Sequence, residues 1–368
     1  MPISTSIFLD ILRFTAACIV FLSHVTEHNF NAVWPWVPWG HEAVVVFFVI
    51  SGFVIAHVVS GRERDYREYL AARLGRLYSV VLPALALTAL ADGIGRQVAP
   101  ELYAAIPADH AALRLLINGL FVQQNWNLTV IPLSNGPFWS LGYEFWYYLI
   151  FGAAVLSTGR WRLVLPLLLC LCAGPRIVAY LPLWLLGVLA YRACRQWHPS
   201  RHQQALVQAA CAAAFFGILA FGSPLAPVRL SLAALYPDDF LPIGNFRLFV
   251  GGMAQLPEDM LMGILVALAI ASIRGDGGWL AKSERVVAAI RYLAGATFTL
   301  YLFHMPLLYL ASAQLGPDRG SRIQTGLVAV LVFALCVLLS HLGERRVNFF
   351  RQQFRRLLRR LPERAQAR

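Results

Sequence analysis

The chain has 368 residues, 58% of them hydrophobic and only 14% charged, with a mean hydropathy of +0.61 and a formal net charge of +12. Soluble domains carry roughly 45–50% apolar and about 25% charged residues, so this composition excludes an ordinary water-covered surface and points to lipid as the solvent. Nucleic acid is also excluded as a partner, because no basic stretch is interleaved with exposed aromatics and the arginines sit between apolar runs or near the C-terminus.

A membrane-crossing helix needs about 20 apolar residues. Ten runs qualify as candidate spans, at residues 7–25, 42–59, 77–94, 138–157, 163–173, 177–194, 205–221, 246–272, 293–313 and 323–342. The first is not expected to be a cleaved signal, since no Lys or Arg precedes it and Asp10 and Arg13 interrupt it. Residues 111–122 are apolar but too short to span, and read as an interfacial or re-entrant helix. The fifth and sixth runs, joined by Gly174-Pro175-Arg176, form a tight hairpin in this reading. Six cysteines (Cys18, Cys170, Cys172, Cys194, Cys211, Cys336) fall within or beside apolar runs without CxxC or zinc-ligand spacing, so neither a disulfide framework nor a metal site is expected.

With the N-terminus inside, Lys and Arg on the inner side outnumber those outside by roughly three to one. The expectation is therefore an all-α polytopic bundle of about ten transmembrane helices with both termini in the cytoplasm. Residues 1–344 make up the membrane domain, and residues 345–368 a basic cytoplasmic tail. In that tail Phe349, Phe350, Phe354, Leu357, Leu358 and Leu361 alternate with arginines, which suits a helix lying on an anionic leaflet.

Ionisable residues inside membrane helices are costly and so are functional candidates. Arg13 and His24 lie eleven residues apart in the first run, close to three helical turns, so they share a face about 16 Å long. Arg13 alternatively pairs with Asp10, one turn earlier. Glu144 sits two turns into the fourth run, after Asn135-Gly136-Pro137-Phe138-Trp139-Ser140, and His304 precedes Met305-Pro306 in the ninth. Counting 1.5 Å per residue puts His24, Glu144 and His304 in the same outer half of the bilayer. The segment 62–76 reads as a cytoplasmic loop whose Arg73 and Arg76 either anchor topology or seat a phosphorylated ligand. Ser51-Gly52 reads as close helix packing through small residues.

Four segments together resemble the acyltransferase-3 family of membrane O-acyltransferases. They are Leu9-Asp10-Ile11-Leu12-Arg13 through His24, Phe47-Phe48-Val49-Ile50-Ser51-Gly52-Phe53, Trp139-Ser140-Leu141 with Glu144, Tyr147 and Tyr148, and Tyr301-Leu302-Phe303-His304-Met305-Pro306. Ala43-Val44-Val45 stands where the family often has Gly-Val-Asp, and Ala72 where it has the first arginine of Arg-Arg-x-x-Arg.

The resemblance implies a multi-pass enzyme of a bacterial inner membrane. Such an enzyme moves an acyl group, commonly acetyl, from cytoplasmic acetyl-CoA to a hydroxyl of a carbohydrate or glycolipid acceptor on the outer face. It implies Arg73, Arg76 and Arg13 for the CoA donor, and Arg13 alternatively for the oxyanion. His24 becomes the general base, oriented by Glu144, while His304, Trp139 and Ser140 are candidates for acceptor binding. A transporter or flippase of a lipid-linked saccharide is the alternative, using the same buried charges as a substrate path.

Overall fold

The computed structural model describes residues 1–26, 37–61, 65–243, 246–273, 283–315 and 322–360. Arg62, Arg64, Arg274, Lys282, Arg319 and residues 361–368, Leu361 among them, lie outside the described residues. Helices α1 (Ile3–Val25) and α2 (Gly40–Gly61) cover the first two expected spans. Helix α3 (Tyr66–Val98) begins well before the third apolar run. Asp65 caps it, its carboxylate accepting the Glu68 N–H at 2.9 Å, and good helix formers carry the turns through Arg73 and Arg76. The segment read as a loop is thus helical from Tyr66, and both arginines ride on a rigid element.

Helix α4 (Ala111–Gly119) is the expected short helix, and α5 (Trp139–Leu156) follows a single 3-10 turn at Gly136–Phe138. Helices α6 (Trp161–Ala173) and α7 (Pro175–Gln196) form the expected hairpin around Gly174. There φ is +91°, and a Cβ would lie 2.6 Å from the Trp126 nitrogen, so only glycine fits. Ser200 and Gln203 form a capping box at the start of α8 (Arg201–Phe221), which is followed by α9 (Ala226–Leu235).

The expected span at 246–272 is cut short. Strand β1 (Phe240–Ile243) pairs antiparallel with β2 (Phe246–Phe249), and α10 (Leu256–Ala271) starts only after Gly251-Gly252, where Gly252 has φ +82°. Helix α11 (Glu284–Ala294) meets α12 (Thr297–Leu315) at a 47° bend, and α13 (Arg322–Leu339) leads to α14 (Val347–Arg359).

Among the described residues, seven helices are long and apolar enough to cross a membrane, or eight if α11 and α12 make one span. The ten expected runs include two further helices, α5 and α6, that fall short of that length or apolarity. Helix α6 has only 13 residues, and α5, at 18, is diluted by Trp, Tyr and Glu144. The chain remains an all-α, multi-pass membrane protein.

Helix α2 lies directly against α7, because a Cβ on Gly52 would come within 2.1 Å of the Trp184 carbonyl oxygen, and one on Gly187 within 2.0 Å of that of Val49. Tyr69, Tyr147 and Trp184 are fully buried between helices, whereas Leu163, Leu167, Phe216 and Leu331 face outward, as a lipid-contacting surface requires. The tail helix α14 docks on α3. The Phe354 ring stacks on Tyr78 with centroids 5.2 Å apart, and Arg355 pairs with Glu68.

Candidate active site

Two neighbouring chambers lie within the bundle and share lining residues of α2 and α12. The first is lined by Arg13 of α1, Ser51 of α2, Arg73 and Arg76 of α3, and Glu144 and Tyr148 of α5. Three guanidinium groups from two helices therefore converge on one space with a single carboxylate among its lining residues. Arg73 lies over the rings of Tyr69 and Tyr148, at 5.7 and 6.0 Å from their centroids. Arg13 keeps a 3.8 Å ion pair with Asp10, so its pairing with Asp10 and its place in the cavity coexist. Glu344 lies beside the start of α12. It accepts the Thr299 N–H at 2.9 Å and the Thr299 hydroxyl at 3.0 Å, capping the first turn of α12.

Glu144 is held within this cavity. Ser51 donates to its Oε1 at 3.1 Å, the Tyr148 hydroxyl donates to the same oxygen, and the Trp184 indole N–H donates to Ser51 at 3.2 Å. Such a chain fixes the carboxylate and satisfies it in a low-dielectric setting.

The second chamber is lined by His24, Ser23, His41 and Trp139, with Val44 and Tyr301 lining both chambers. The His24 ring stacks on His304 with centroids 5.2 Å apart and planes 29° from parallel. His304 is fully buried and donates from Nδ1 to the Leu300 carbonyl at 2.7 Å, which leaves Nε2 as the acceptor nitrogen. Tyr301, the partition, donates its hydroxyl to the Pro137 carbonyl at 2.9 Å and lies 2.8 Å from the Ser140 hydroxyl. Asn135 ties the same corner together, donating to the Leu302 carbonyl and to Thr88.

Sequence reasoning placed His24, Glu144 and His304 in one site, and the structure divides them. His24 lines the second chamber with Trp139, His304 is fully buried and stacks on His24 without lining either chamber, and Glu144 lies in the first with the arginines, as does Ser140. The reason is local. Trp139 opens α5 on the side of the second chamber, and about one and a half turns of helix then carry Glu144 to the arginine side.

Sequence reasoning assigned no role to Tyr148 or Tyr301, and took Ser51 as a packing residue only. Ser51 and Tyr301 are placed by contacts across 93 and 164 residues of chain, with no spacing signal, whereas Tyr148 lies one helical turn beyond Glu144, a spacing that could have found it. It also passed over Asp259, a carboxylate inside an apolar run that the cost of intramembrane charge singles out.

No solved structure matches the chain. Among curated proteins it is similar to the peptidoglycan O-acetyltransferase OatA of Listeria monocytogenes, at 24% identity over 327 residues, or 83% of this chain and 49% of that protein. It is also similar to an O-acetyl transferase of Shigella phage Sf6, at 26% over 194 residues, 48% of this chain and 56% of the relative. A third relative is the acyltransferase MdmB of Streptomyces mycarofaciens, at 31% over 150 residues, 38% of this chain and 36% of that protein. The chain thus spans about half the length of the first two curated relatives. The acyltransferase domain of the acyltransferase-3 family matches residues 6–341, so both chambers and every helix that builds them fall within it, and the chain belongs to that family.

Proposed function

We propose that the protein is a membrane O-acyltransferase that moves an acyl group, acetyl in the simplest case, from acyl-CoA in the arginine chamber to a carbohydrate hydroxyl in the histidine chamber. The observation that carries this reading is the meeting of the two chambers at Val44 and Tyr301, one cationic and the other lined by histidines and tryptophan. Names of relatives that include peptidoglycan O-acetyltransferase support a carbohydrate acceptor. The donor carries phosphates, and Arg73 and Arg76 at the start of α3 suit them by charge and by planar bidentate geometry. The positive-inside bias of the sequence supports a cytoplasmic position for that end of α3 and an outward one for the histidine chamber, and the bacterial relative supports reading the membrane as a bacterial inner membrane.

The thioester supplies an acyl group already activated for transfer. His24 takes the proton of the attacking hydroxyl as the new C–O bond forms and the C–S bond breaks, and returns that proton to the departing thiol. His304, stacked behind it, fixes the imidazole plane. Arg13, on the same face of α1 one chamber away, steadies negative charge on the donor or on the carbonyl oxygen as it develops. Glu144 holds Ser51 and Tyr148 at the donor end and balances the arginines, a role distinct from orienting His24.

The test is acetyl transfer by the purified protein reconstituted in vesicles, followed as free thiol released from acetyl-CoA. Release that depends on added polysaccharide, with acetyl recovered on the sugar, supports the reading. Saccharide movement across the vesicle without thiol release would replace it with transport.

A further inference from the structure

His41, in the first turn of α2, lines the histidine chamber opposite the residues already given roles. Its Nε2 is 3.0 Å from both carboxylate oxygens of Asp259 on α10. The Tyr180 hydroxyl of α7 lies 3.0 Å from Asp259 Oδ2 and 2.9 Å from the Gly252 carbonyl. Three helices thus contribute to one chain of contacts ending on the imidazole. The burial is uneven along it: the Asp259 side chain is 4% exposed, whereas that of His41 is 34% exposed. A histidine recruited only to neutralise a buried carboxylate would be buried with it. This one turns its ring to the chamber.

An ionised carboxylate only accepts hydrogen bonds, so Nε2 carries the proton that faces Asp259. The bond to Asp259 fixes the ring plane, so Nδ1 has a set direction, as a lone pair in the neutral ring and as an N–H in the charged one. Alongside, the Trp139 ring lies almost parallel to the imidazole, 11° off, with centroids 6.2 Å apart. A flat apolar face beside a single oriented polar group matches a pyranose ring, which offers a C–H face and hydroxyls. Few, well-placed polar groups on an otherwise apolar wall are how such sites fix orientation.

We propose that His41, oriented by Asp259 and Tyr180, is the acceptor-binding residue of the histidine chamber. Its Nδ1 hydrogen-bonds one sugar hydroxyl, which can donate or accept, while Trp139 carries the ring face, so that a different hydroxyl is presented to His24. This rests on the reading of that chamber as the carbohydrate side, and names what selects the carbohydrate there.

His41→Gln is the discriminating variant. Its amide nitrogen takes the place of Nε2 and keeps the bond to Asp259, but nothing replaces Nδ1. Binding of a panel of methyl glycosides (glucoside, galactoside, rhamnoside and N-acetylglucosaminide) is measured by saturation-transfer NMR on the full chain in detergent, with no acyl donor present. The wild type binds at least one glycoside, and His41→Gln binds it roughly tenfold or more weakly, the loss of one hydrogen bond in a desolvated site. Acetyl-CoA binding by the same variant stays at the wild-type level and reports that it is folded.

Equal glycoside binding by His41→Gln overturns the inference, as does a wild type that binds none of the panel. If binding depends on His41 but acetyl-CoA yields no transfer, the seat stands and the acyltransferase reading falls. If transfer proceeds and His41→Gln leaves the acceptor KM unchanged, the reading stands and the seat falls.

Discussion

Replacing Gly52 with alanine adds one methyl group where two backbones touch, and couples packing directly to the site. The new Cβ would lie 2.1 Å from the Trp184 carbonyl oxygen and 3.3 Å from the Gly187 Cα. Ordinary contact begins near 3.4 Å, so α2 and α7 must part by about 1.3 Å, and neither neighbour is a flexible side chain. Overpacking of this kind costs about 1–3 kcal/mol. The larger effect is expected on function. The Trp184 indole bond to Ser51, at 3.2 Å, does not survive a shift of that size, and Ser51 is one of the groups holding Glu144 in the arginine chamber. A misplacement of about 1 Å in a reacting site costs on the order of 10²-fold in rate. Thermal unfolding in detergent and acetyl transfer are measured on the same preparation. Gly52→Ala is expected to melt lower and to lose transfer by roughly two orders of magnitude while still inserting. Wild-type melting and transfer together would refute the close α2–α7 packing and its link to Glu144.

Substituting both Arg73 and Arg76 with alanine should raise the KM for acetyl-CoA by roughly tenfold or more, an effect that shrinks with added salt, and leave the acceptor KM unchanged. Unchanged donor dependence would reduce those arginines to topology anchors. His24→Ala should lower kcat by roughly 10²–10⁴-fold with acetyl-CoA binding intact, as for loss of a positioned base. Glu144→Gln should act on the other side, disturbing donor binding, because its contacts are Ser51 and Tyr148. Phe354→Ala, which removes the ring stacked on Tyr78, should expose α14 to limited proteolysis, and equal resistance would place the tail on lipid alone.

The helical membrane class was legible because composition and apolar run length are properties of the solvent the chain must face. The shared face of Arg13 and His24 was legible too, since helical periodicity alone fixes it. Other features depend on partners far along the chain. Tyr301 separates His24 from Glu144, and depth counted along each helix separately does not reveal a ring standing between two of them. Ser51 finds Glu144, and His41 finds Asp259, across 93 and 218 residues. The break before α10 was masked by the hydrophobicity of Phe246-Arg247-Leu248-Phe249, which pairs as a strand. The helical start of α3 was hidden by its arginines, which read as loop on charge although Asp65 caps a helix there.

Sided vesicles test the joined chambers most directly. The protein is reconstituted with acetyl-CoA trapped on one side and polysaccharide supplied only on the other, both impermeant. Acetyl should appear on the polysaccharide when acetyl-CoA faces the α3 arginine end, with thiol released on the donor side. His24→Ala in the same vesicles should transfer almost none. Transfer only when donor and acceptor share a side would contradict a path through Tyr301 and Val44, and with it the division of labour between the two chambers.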